Sequence, residues 1–168
     1  MTLNNNTMKK QLFLLLLISV FIGKVVAQSP NNLGNKNETV SGELKKWHTV
    51  TLTFDGPECS ETDDYNPFFN YRLNVTFNHK ESGKSYKVPG YFAADGNAGM
   101  TSASSGNKWR VHFTPDEIGD WKYTVDFKKG KWIAVRPRTD EQVPTGGYMD
   151  GMFGNLKIDK SDKSGRDF

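Results

Sequence analysis

Strict alternation of large apolar and polar side chains constrains this chain more than any other feature of its sequence. The clearest run, residues 71–78 (YRLNVTFN), places Tyr71, Leu73, Val75 and Phe77 on one side and polar residues on the other. Successive side chains of a β-strand point to opposite faces, so this run predicts a strand with one buried face. A slip of one residue would expose the whole apolar face, and the pairing register is therefore well specified.

The same two-residue period returns in several other segments. It occurs in residues 48–54 (HTVTLTF), 109–113 (WRVHF) and 121–127 (WKYTVDF), and shorter runs at Trp132–Val135 and Asn155–Ile158 also indicate strands. No window of about a dozen residues shows a convincing helical period. About seven short strands, with turn signals every 8–12 residues or so, predict an all-β chain built as an antiparallel β-sandwich.

Stretches rich in Gly, Pro, Asn, Asp and Ser divide the chain. Two long ones inside the alternating region, Asp55–Phe68 and Ala94–Asn107, predict loops. Residues 28–42 predict a flexible leader, residues 43–137 the sandwich, and residues 138–168 an irregular tail or linker. The sandwich region is long enough for one hydrophobic core, whereas the remainder is too short for a second.

The first 27 residues predict a signal peptide for export by the Sec route. Lys9 and Lys10 precede an apolar run of about 11 residues, short of the roughly 20 that a bilayer requires. Small residues at Val25 and Ala27 favour cleavage after Ala27. We therefore expect a chain without a membrane segment, located in the periplasm, on the cell surface or outside the cell.

Charge argues against two classes of partner for the cleaved chain. Residues 1–27 hold three lysines and no acid, whereas the whole chain has 22 Lys and Arg against 19 Asp and Glu. Cleavage therefore leaves the charges balanced. A balanced chain lacks the basic field that attracts nucleic acids or anionic membranes, so we expect it to bind neither.

Cysteine, histidine and the acidic loop do not indicate a metal site, a cofactor or a nucleophile. Cys59 is the single cysteine, so no internal disulfide can form, and catalysis by its thiol would need a positioned histidine. His48, His79 and His112 all lie in strand-like runs. The acids of Asp55–Phe68 could supply oxygen ligands to calcium, but their spacing does not follow the EF-hand loop. We predict no metal and no cofactor.

Four segments together carry a resemblance to a known family. They are KKWHTVTLTFDGP (Lys45–Pro57), Asn66-Pro67-Phe68, VPGYFAADGN (Val88–Asn97) and WRVHFTPDEIGDW (Trp109–Trp121), the last continuing as KYTV. In this order and spacing they resemble the domain of unknown function 5060 family, over about residues 42–137. The resemblance implies an immunoglobulin-like sandwich placed directly before a (β/α)8 glycoside hydrolase domain in secreted bacterial proteins.

The resemblance also implies a partner. The ending DKSGRDF (Asp162–Phe168) is similar to the linker that leads into such a catalytic domain, so the implied partner is a C-terminal glycoside hydrolase domain of the same polypeptide.

The recurring residues have roles in folding. Gly119 lets the chain reverse after Pro115, Trp121 and Tyr123 fill the space between the sheets, and the Tyr123 hydroxyl can bond to backbone as a tyrosine corner. The residues that we take as structural are Asn66, Pro67, Phe68, Pro115, Gly119, Trp121 and Tyr123.

Acids and aromatic residues are the candidates for chemistry on sugars. Glycoside hydrolysis needs two carboxyl groups about 5–9.5 Å apart on a rigid scaffold, and the acids here lie in predicted loops and turns. Sugar binding would use aromatic rings, which make up 12% of the chain, but Trp109 and Trp121 are in phase with the core. The remaining candidate carbohydrate-binding residues are Trp47, Trp132, Tyr91, Phe92 and Asp95. Ala93 and Ala94 stand where relatives commonly carry a polar residue beside this aspartate.

Two functions follow from these observations. The first is a non-catalytic accessory module that packs against a glycoside hydrolase domain and positions it. The rival is an independent carbohydrate-binding module that recruits polysaccharide. The acid placement disfavours a third, a complete enzyme within this chain.

Overall fold

Two antiparallel four-stranded sheets face each other in the computed structural model, which describes residues 32–136 and 143–162. Within these residues the strands are β1 (Glu38–Ser41), β2 (Val50–Ser60), β3 (Tyr71–His79), β4 (Ser85–Pro89), β5 (Tyr91–Phe92), β6 (Ser105–Phe113), β7 (Gly119–Lys129) and β8 (Phe153–Ile158); single helical turns form α1 (Pro67–Asn70) and α2 (Ala98–Thr101). The predicted signal peptide lies outside the described residues. None of the described helices is long and apolar enough to cross a membrane.

The strand order confirms the predicted immunoglobulin-like sandwich. One sheet has the order β1-β2-β6-β5 and the other β4-β3-β7-β8. In both sheets every strand pairs with antiparallel neighbours. In an immunoglobulin domain, strands A, B, E and D form one sheet and strands C, F and G the other. Here β1, β2, β6 and β5 correspond to A, B, E and D, and β3, β7 and β8 correspond to C, F and G. β4 is an extra strand beside β3.

The alternation read from the sequence matches the observed faces. β3 and β7 pair along their full lengths, from Tyr71 opposite Lys129 to His79 opposite Trp121. The apolar residues of β3 are buried and the polar residues between them are partly or fully exposed. The predicted buried faces of both strands are confirmed.

Aromatic rings from the two sheets interlock in the core. Phe77 of β3 stacks on Phe113 of β6 with ring centroids 4.0 Å apart, and Trp121 of β7 meets the same Phe113 ring edge-on at 5.0 Å. Trp109 of β6 packs edge-on against Phe127 of β7 at 4.8 Å. These contacts bury both indoles almost completely, so the prediction that Trp109 and Trp121 are core residues is confirmed.

The first half of the predicted loop Asp55–Phe68 is strand instead. β2 continues to Ser60 through an irregularity between Asp55 and Cys59, where its register with β6 shifts. This irregularity accommodates Gly56 and Pro57, residue types that weaken regular strand pairing. Gly56 is required there because a Cβ atom would lie only 2.4 Å from the Trp109 indole.

Both ends of the sandwich region extend further than expected. The predicted leader contributes β1, which pairs with β2, and the predicted tail contributes β8, which pairs with β7. Met149, also in the predicted tail, is fully buried. The leader is therefore not flexible at Glu38–Ser41, and the tail is partly structured.

Tyr123 joins the two sheets by a different bond from the predicted tyrosine corner. Its hydroxyl donates to the Glu38 carboxylate of β1, not to backbone. Burial, followed by this carboxylate, raises the pKa of Tyr123, so the hydroxyl keeps its proton. Because Tyr123 lies in one sheet and Glu38 in the other, the bond holds the edge strand β1 in place.

Two further local predictions were wrong. Trp132–Val135 forms a turn and not a strand, and Trp132 adopts a positive φ of 64°. His48 precedes β2 and is not part of it. The predicted reversal after Pro115 is confirmed, since Gly119 has a φ of +112°, a conformation that L side chains rarely adopt.

Tyr123→Phe removes the bond between the sheets while keeping the ring. We expect a loss of about 1.5 kcal/mol in the free energy of unfolding, the lower end of the usual range for a hydrogen bond to a charged group. Urea denaturation of residues 28–168 measures it. Tyr148→Phe is the matched control, because this tyrosine is 54% exposed. Equal stabilities of the two variants would contradict a structural role for the Tyr123 hydroxyl.

Candidate functional site

Six carboxyl groups of the described residues have shifted pKa values, and each of them accepts hydrogen bonds. Every carboxyl in the described residues whose pKa is shifted has its pKa lowered, because lysine ammonium groups or other hydrogen-bond donors outweigh the effect of burial. The Glu117 carboxylate, for example, accepts from Lys84 Nζ at 2.6 Å, which holds its pKa below the usual range. A glycosidase acid needs the opposite, a raised pKa that keeps its proton at neutral pH.

Cys59 has the environment of a core residue. It is 3% exposed, and burial raises the pKa of its thiol to about 12. Since the thiolate is the reactive form, this sulfur is a poor nucleophile at neutral pH.

Two acids of the Asp55–Phe68 segment are engaged in local structure. Asp55 forms an ion pair with Lys108, and Asp63 accepts a hydrogen bond from the Ser60 backbone at 2.7 Å. Within the described residues, three potential metal ligands converge only at Glu43, His48 and Asp162.

Asp95 organises its own loop. Its carboxylate accepts from the Asn97 backbone and from the Thr101 hydroxyl, both at 2.7 Å. The Thr101 bond is the main reason that the pKa of Asp95 is lowered. The geometry therefore gives this predicted binding residue a role in shaping the turn before α2.

Tyr91 and Phe92 point to opposite faces of β5. Phe92 is buried at 4% exposure and packs edge-on against Trp109 at 5.2 Å, so it is a core residue and not a binding platform. Tyr91 is exposed on the outer face, where its hydroxyl lies 2.9 Å from His112 Nε2. The alternation that governs every strand separates these two candidates.

Trp47 lies at the end of the sandwich where β2 begins. Its backbone has a φ of 66°, and its N–H donates to the Pro115 carbonyl at 2.9 Å. The indole is half-buried and lines an open groove of about 480 Å³. Tyr86, Val88, His112, Thr114 and Asp116 also line this groove, which we call the Trp47 groove. Two polar atoms in its wall, Trp47 Nε1 and Asp116 Oδ1, are buried without a hydrogen-bond partner in the described part of the chain.

A cluster of charges holds the last described residues against the same end of the molecule. Lys45 Nζ donates to Glu43 at 2.7 Å and to Asp162 at 2.8 Å, and His48 Nε2 lies 2.9 Å from Asp162. We call this group of four residues the exit clasp. The Lys45 ammonium supplies the positive charge between the two carboxylates that a metal ion would otherwise bring.

Backbone hydrogen bonds reinforce the exit clasp. Asp159 donates to the Leu44 carbonyl at 2.8 Å and accepts from the Lys46 N–H at 2.9 Å. The chain that leaves β8 is therefore fixed through Asp159 and Asp162 against the segment that precedes β2.

Trp132 lies at the other end of the sandwich. It is 42% exposed, and its ring is tilted against that of Phe69 with centroids 5.1 Å apart. The two rings, with Asp64, Asn70 and Lys131, line a cleft of about 410 Å³, which we call the Trp132 cleft.

The Asn66-Pro67-Phe68 motif builds one wall of the Trp132 cleft. Asn66 accepts from the Phe68 N–H at 2.9 Å and donates to the Glu61 carbonyl at 2.7 Å, which caps α1. Pro67 occupies the first helical turn, where its fixed φ and missing N–H are tolerated. Through this cap the motif places Phe69 and Asn70.

The predicted binding residues do not form one site. β7 has 11 residues between the end that carries the exit clasp and the end that carries Trp132, so the two tryptophan sites are roughly 30 Å apart. Tyr91 belongs to neither, and Phe92 and Asp95 have structural roles.

Sequence reasoning missed both groupings. The Trp132 cleft needs Phe69 and Lys131, and the exit clasp needs Lys45 and Asp162, which are 117 positions apart. One signal was available in the sequence, the helix start at Asn66-Pro67. Phe68 and Phe69 follow it directly and point in different directions from a single helical turn, so one turn cannot bury both rings.

Comparison with known proteins gives one family and one structure. A family model described as a domain of unknown function (DUF5060) matches residues 43–128, and no curated protein matches. A crystal structure described as a "putative glycoside hydrolase" from Bacteroides vulgatus is similar, with a TM-score of 0.43 and 19% identity. The likeness covers 71% of this chain but only 16% of that protein. The family match ends before Trp132 and Asp162.

The exit clasp should loosen in acid. The pKa values of Glu43 and Asp162 are lowered, chiefly by the hydrogen bond from Lys45, so the clasp is complete at neutral pH. Its contribution is lost as pH falls from about 4 through these lowered pKa values. Hydrogen exchange of residues 28–168 should show falling protection of the Asp159 and Lys46 amides over this range.

The variant Lys45→Ala should show the same loss of protection at neutral pH. Lys157→Ala is the matched control, because Lys157 is an exposed lysine of β8 with no ion pair in the described part of the chain. Unchanged protection in Lys45→Ala would mean that the backbone bonds alone hold the segment.

Proposed function

From the premise that the chain belongs to the DUF5060 family, we propose that it is a non-catalytic accessory module of a secreted glycoside hydrolase. The module packs against the catalytic domain of the same polypeptide and positions it. The resemblance noted in the sequence implies this order of domains. The signal-like residues 1–27 support export by the Sec route to the periplasm, the cell surface or the medium.

The observation that carries the proposal is the exit clasp. A flexible linker would let the next domain sample many orientations, whereas a fixed exit removes much of that freedom before any contact forms. Asp159 and Asp162 are held by two backbone bonds and two side chains, so the direction in which the chain leaves the sandwich is defined. A positioning module needs this property.

The Trp47 groove supplies a surface next to that exit. Trp47 directly precedes His48 of the clasp, and the half-buried indole offers apolar area to a neighbouring domain. Buried polar atoms without partners are costly, so the unpaired Trp47 Nε1 and Asp116 Oδ1 favour a neighbour that bonds to them.

The absence of catalysis rests on the state of the acids. The carboxyls with lowered pKa values stay charged at neutral pH, and Cys59 stays protonated. These groups suit ion pairs and turns more than proton transfer.

The natural reading frame and its full-length product test the accessory role. We expect the coding sequence to continue past Phe168 into a (β/α)8 domain, and residues 28–168 alone to release no reducing ends from polysaccharides that the full-length protein cleaves. In that protein Lys45→Ala should lower the melting temperature of the catalytic domain, measured by calorimetry. Lys157→Ala should leave it unchanged.

Three results would overturn this assignment. A stop codon directly after Phe168 would remove the partner domain. Turnover by purified residues 28–168 would make the chain an enzyme. Identical melting temperatures of the wild type and Lys45→Ala would show that the fixed exit does not support the catalytic domain.

A second candidate function is an independent carbohydrate-binding module. The observation that favours it is the exposed pair of rings in the Trp132 cleft, at the end of the sandwich away from the chain exit.

A further inference from the structure

Trp132 and Phe69 present aromatic surface that the fold itself does not use. They are 42% and 43% exposed, although the described core holds many aromatic side chains at 5% exposure or less. The cleft beside them, about 410 Å³, falls within the roughly 300–1,000 Å³ typical of small-ligand sites. Phe68 is turned elsewhere, with its ring edge-on to Phe92 at 6.0 Å.

The buried residue Asn70 accepts hydrogen bonds that hold Trp132 beside Phe69. Asn70 is 7% exposed; its side-chain oxygen accepts from the Trp132 N–H at 3.0 Å and its carbonyl accepts from the Gly130 N–H at 2.9 Å. The Ala134 N–H donates to the Phe69 carbonyl at 3.1 Å. These bonds fasten the turn after β7 to α1, so the platform exists before any ligand arrives.

The backbone at Trp132 adds a second sign of constraint. Its φ of 64° lies in the left-handed region, which is unfavourable for a residue with a bulky side chain. Strain of this kind persists only where surrounding bonds impose it, and here Asn70 provides the bond. The exposed position of this indole is therefore accompanied by an unfavourable backbone conformation.

The rim of the cleft carries unused charges. Asp64 and Lys131 both line it and both are exposed, and neither forms an ion pair within residues 32–136 and 143–162. A carboxylate accepts hydrogen bonds and an ammonium donates them. The site thus combines two apolar faces with one strong acceptor and one strong donor.

We propose that the Trp132 cleft binds a pyranose unit of a neutral glycan chain. A pyranose ring has one face of C–H groups, which packs on the face of an indole, and an edge of hydroxyls that both donate and accept. The hydroxyl edge bonds to Asp64 and Lys131 while the C–H face covers Trp132 and Phe69. The proposal specifies the second candidate function and does not depend on the accessory role.

The same rim disfavours an apolar protein surface as the occupant. Such a surface would cover the Asp64 carboxylate and the Lys131 ammonium without bonding to them, and burying unpaired charges is costly. The chain also leaves the sandwich at the opposite end, where the exit clasp lies. A glycan satisfies all four side chains together.

Affinity electrophoresis of residues 28–168 in gels that contain neutral plant or algal polysaccharides tests the proposal. We expect at least one polysaccharide to retard the wild-type protein. Trp132→Ala and Phe69→Ala should each weaken binding by about ten-fold or more, as loss of a central aromatic contact does. Trp132→Phe should retain part of the affinity because a smaller ring remains.

Phe153→Ala is the matched control. Phe153 is 68% exposed on β8 and does not line the cleft, so retardation should be unchanged. Circular dichroism and urea denaturation of each variant separate loss of binding from loss of folding. Asp64→Asn and Lys131→Met test the rim without disturbing the rings, and both should weaken binding.

The proposal is wrong if no polysaccharide in the panel retards the wild type, or if Trp132→Ala binds as tightly as the wild type. Acrylamide quenching of tryptophan fluorescence separates a further case, with the contribution of Trp132 taken as the difference between the wild type and Trp132→Phe. Shielding of this indole in the full-length protein, but not in residues 28–168, combined with no retardation, would assign the cleft to a domain interface. The accessory role would survive that result, since it is tested by the melting temperature.

Discussion

The interlocking of aromatic rings between the two sheets is the interaction on which the rest of the structure depends. Phe113 of one sheet lies between Phe77 and Trp121 of the other, and Trp109 reaches Phe127 in the same way. Aromatic contacts of this kind bury a large apolar area, which stabilises the packing of the two sheets. They also have preferred ring geometries, which fix how one sheet is oriented on the other. This core also determines the positions of the turns at both ends of the sandwich. The exit clasp and the Trp132 cleft are built on turns whose positions the core determines.

Much of the core could be predicted from the sequence because alternation is a local property. For a residue on β3 or β7, the polarity of the residues next to it in sequence predicts which face of the sheet it lies on. Leu73 and Val125 are buried, as this alternation predicts. Irregular backbone has no such signal. The Gly and Pro of residues 55–60 predict a loop, yet pairing with β6 resumes at Cys59 after the irregularity, and Gly56 leaves room there for the Trp109 indole.

The candidate sites were harder to predict because they join residues that are distant in sequence. Alternation assigned Trp109 and Trp121 to the core and so left Trp47 and Trp132 as candidates, and both are partly exposed with left-handed backbones. It could not show that Lys45 would meet Asp162, or that the buried Asn70 would hold Trp132. The sequence names both Tyr91 and Phe92 as binding candidates, yet the two-residue period of a strand puts them on opposite faces of β5.

The lengths of the outermost strands have a consequence for how such a chain behaves before and after folding. In one sheet the outer strands have four and two residues, and in the other they have five and six. The five-residue strand ends at Pro89, which has no N–H to offer. An unpaired edge is a template on which a neighbouring chain can assemble intermolecular β-structure, and a short template supports few such bonds. Copies of this protein that meet before folding is complete therefore have little exposed edge on which to pair, and the short outer strands limit aggregation between them.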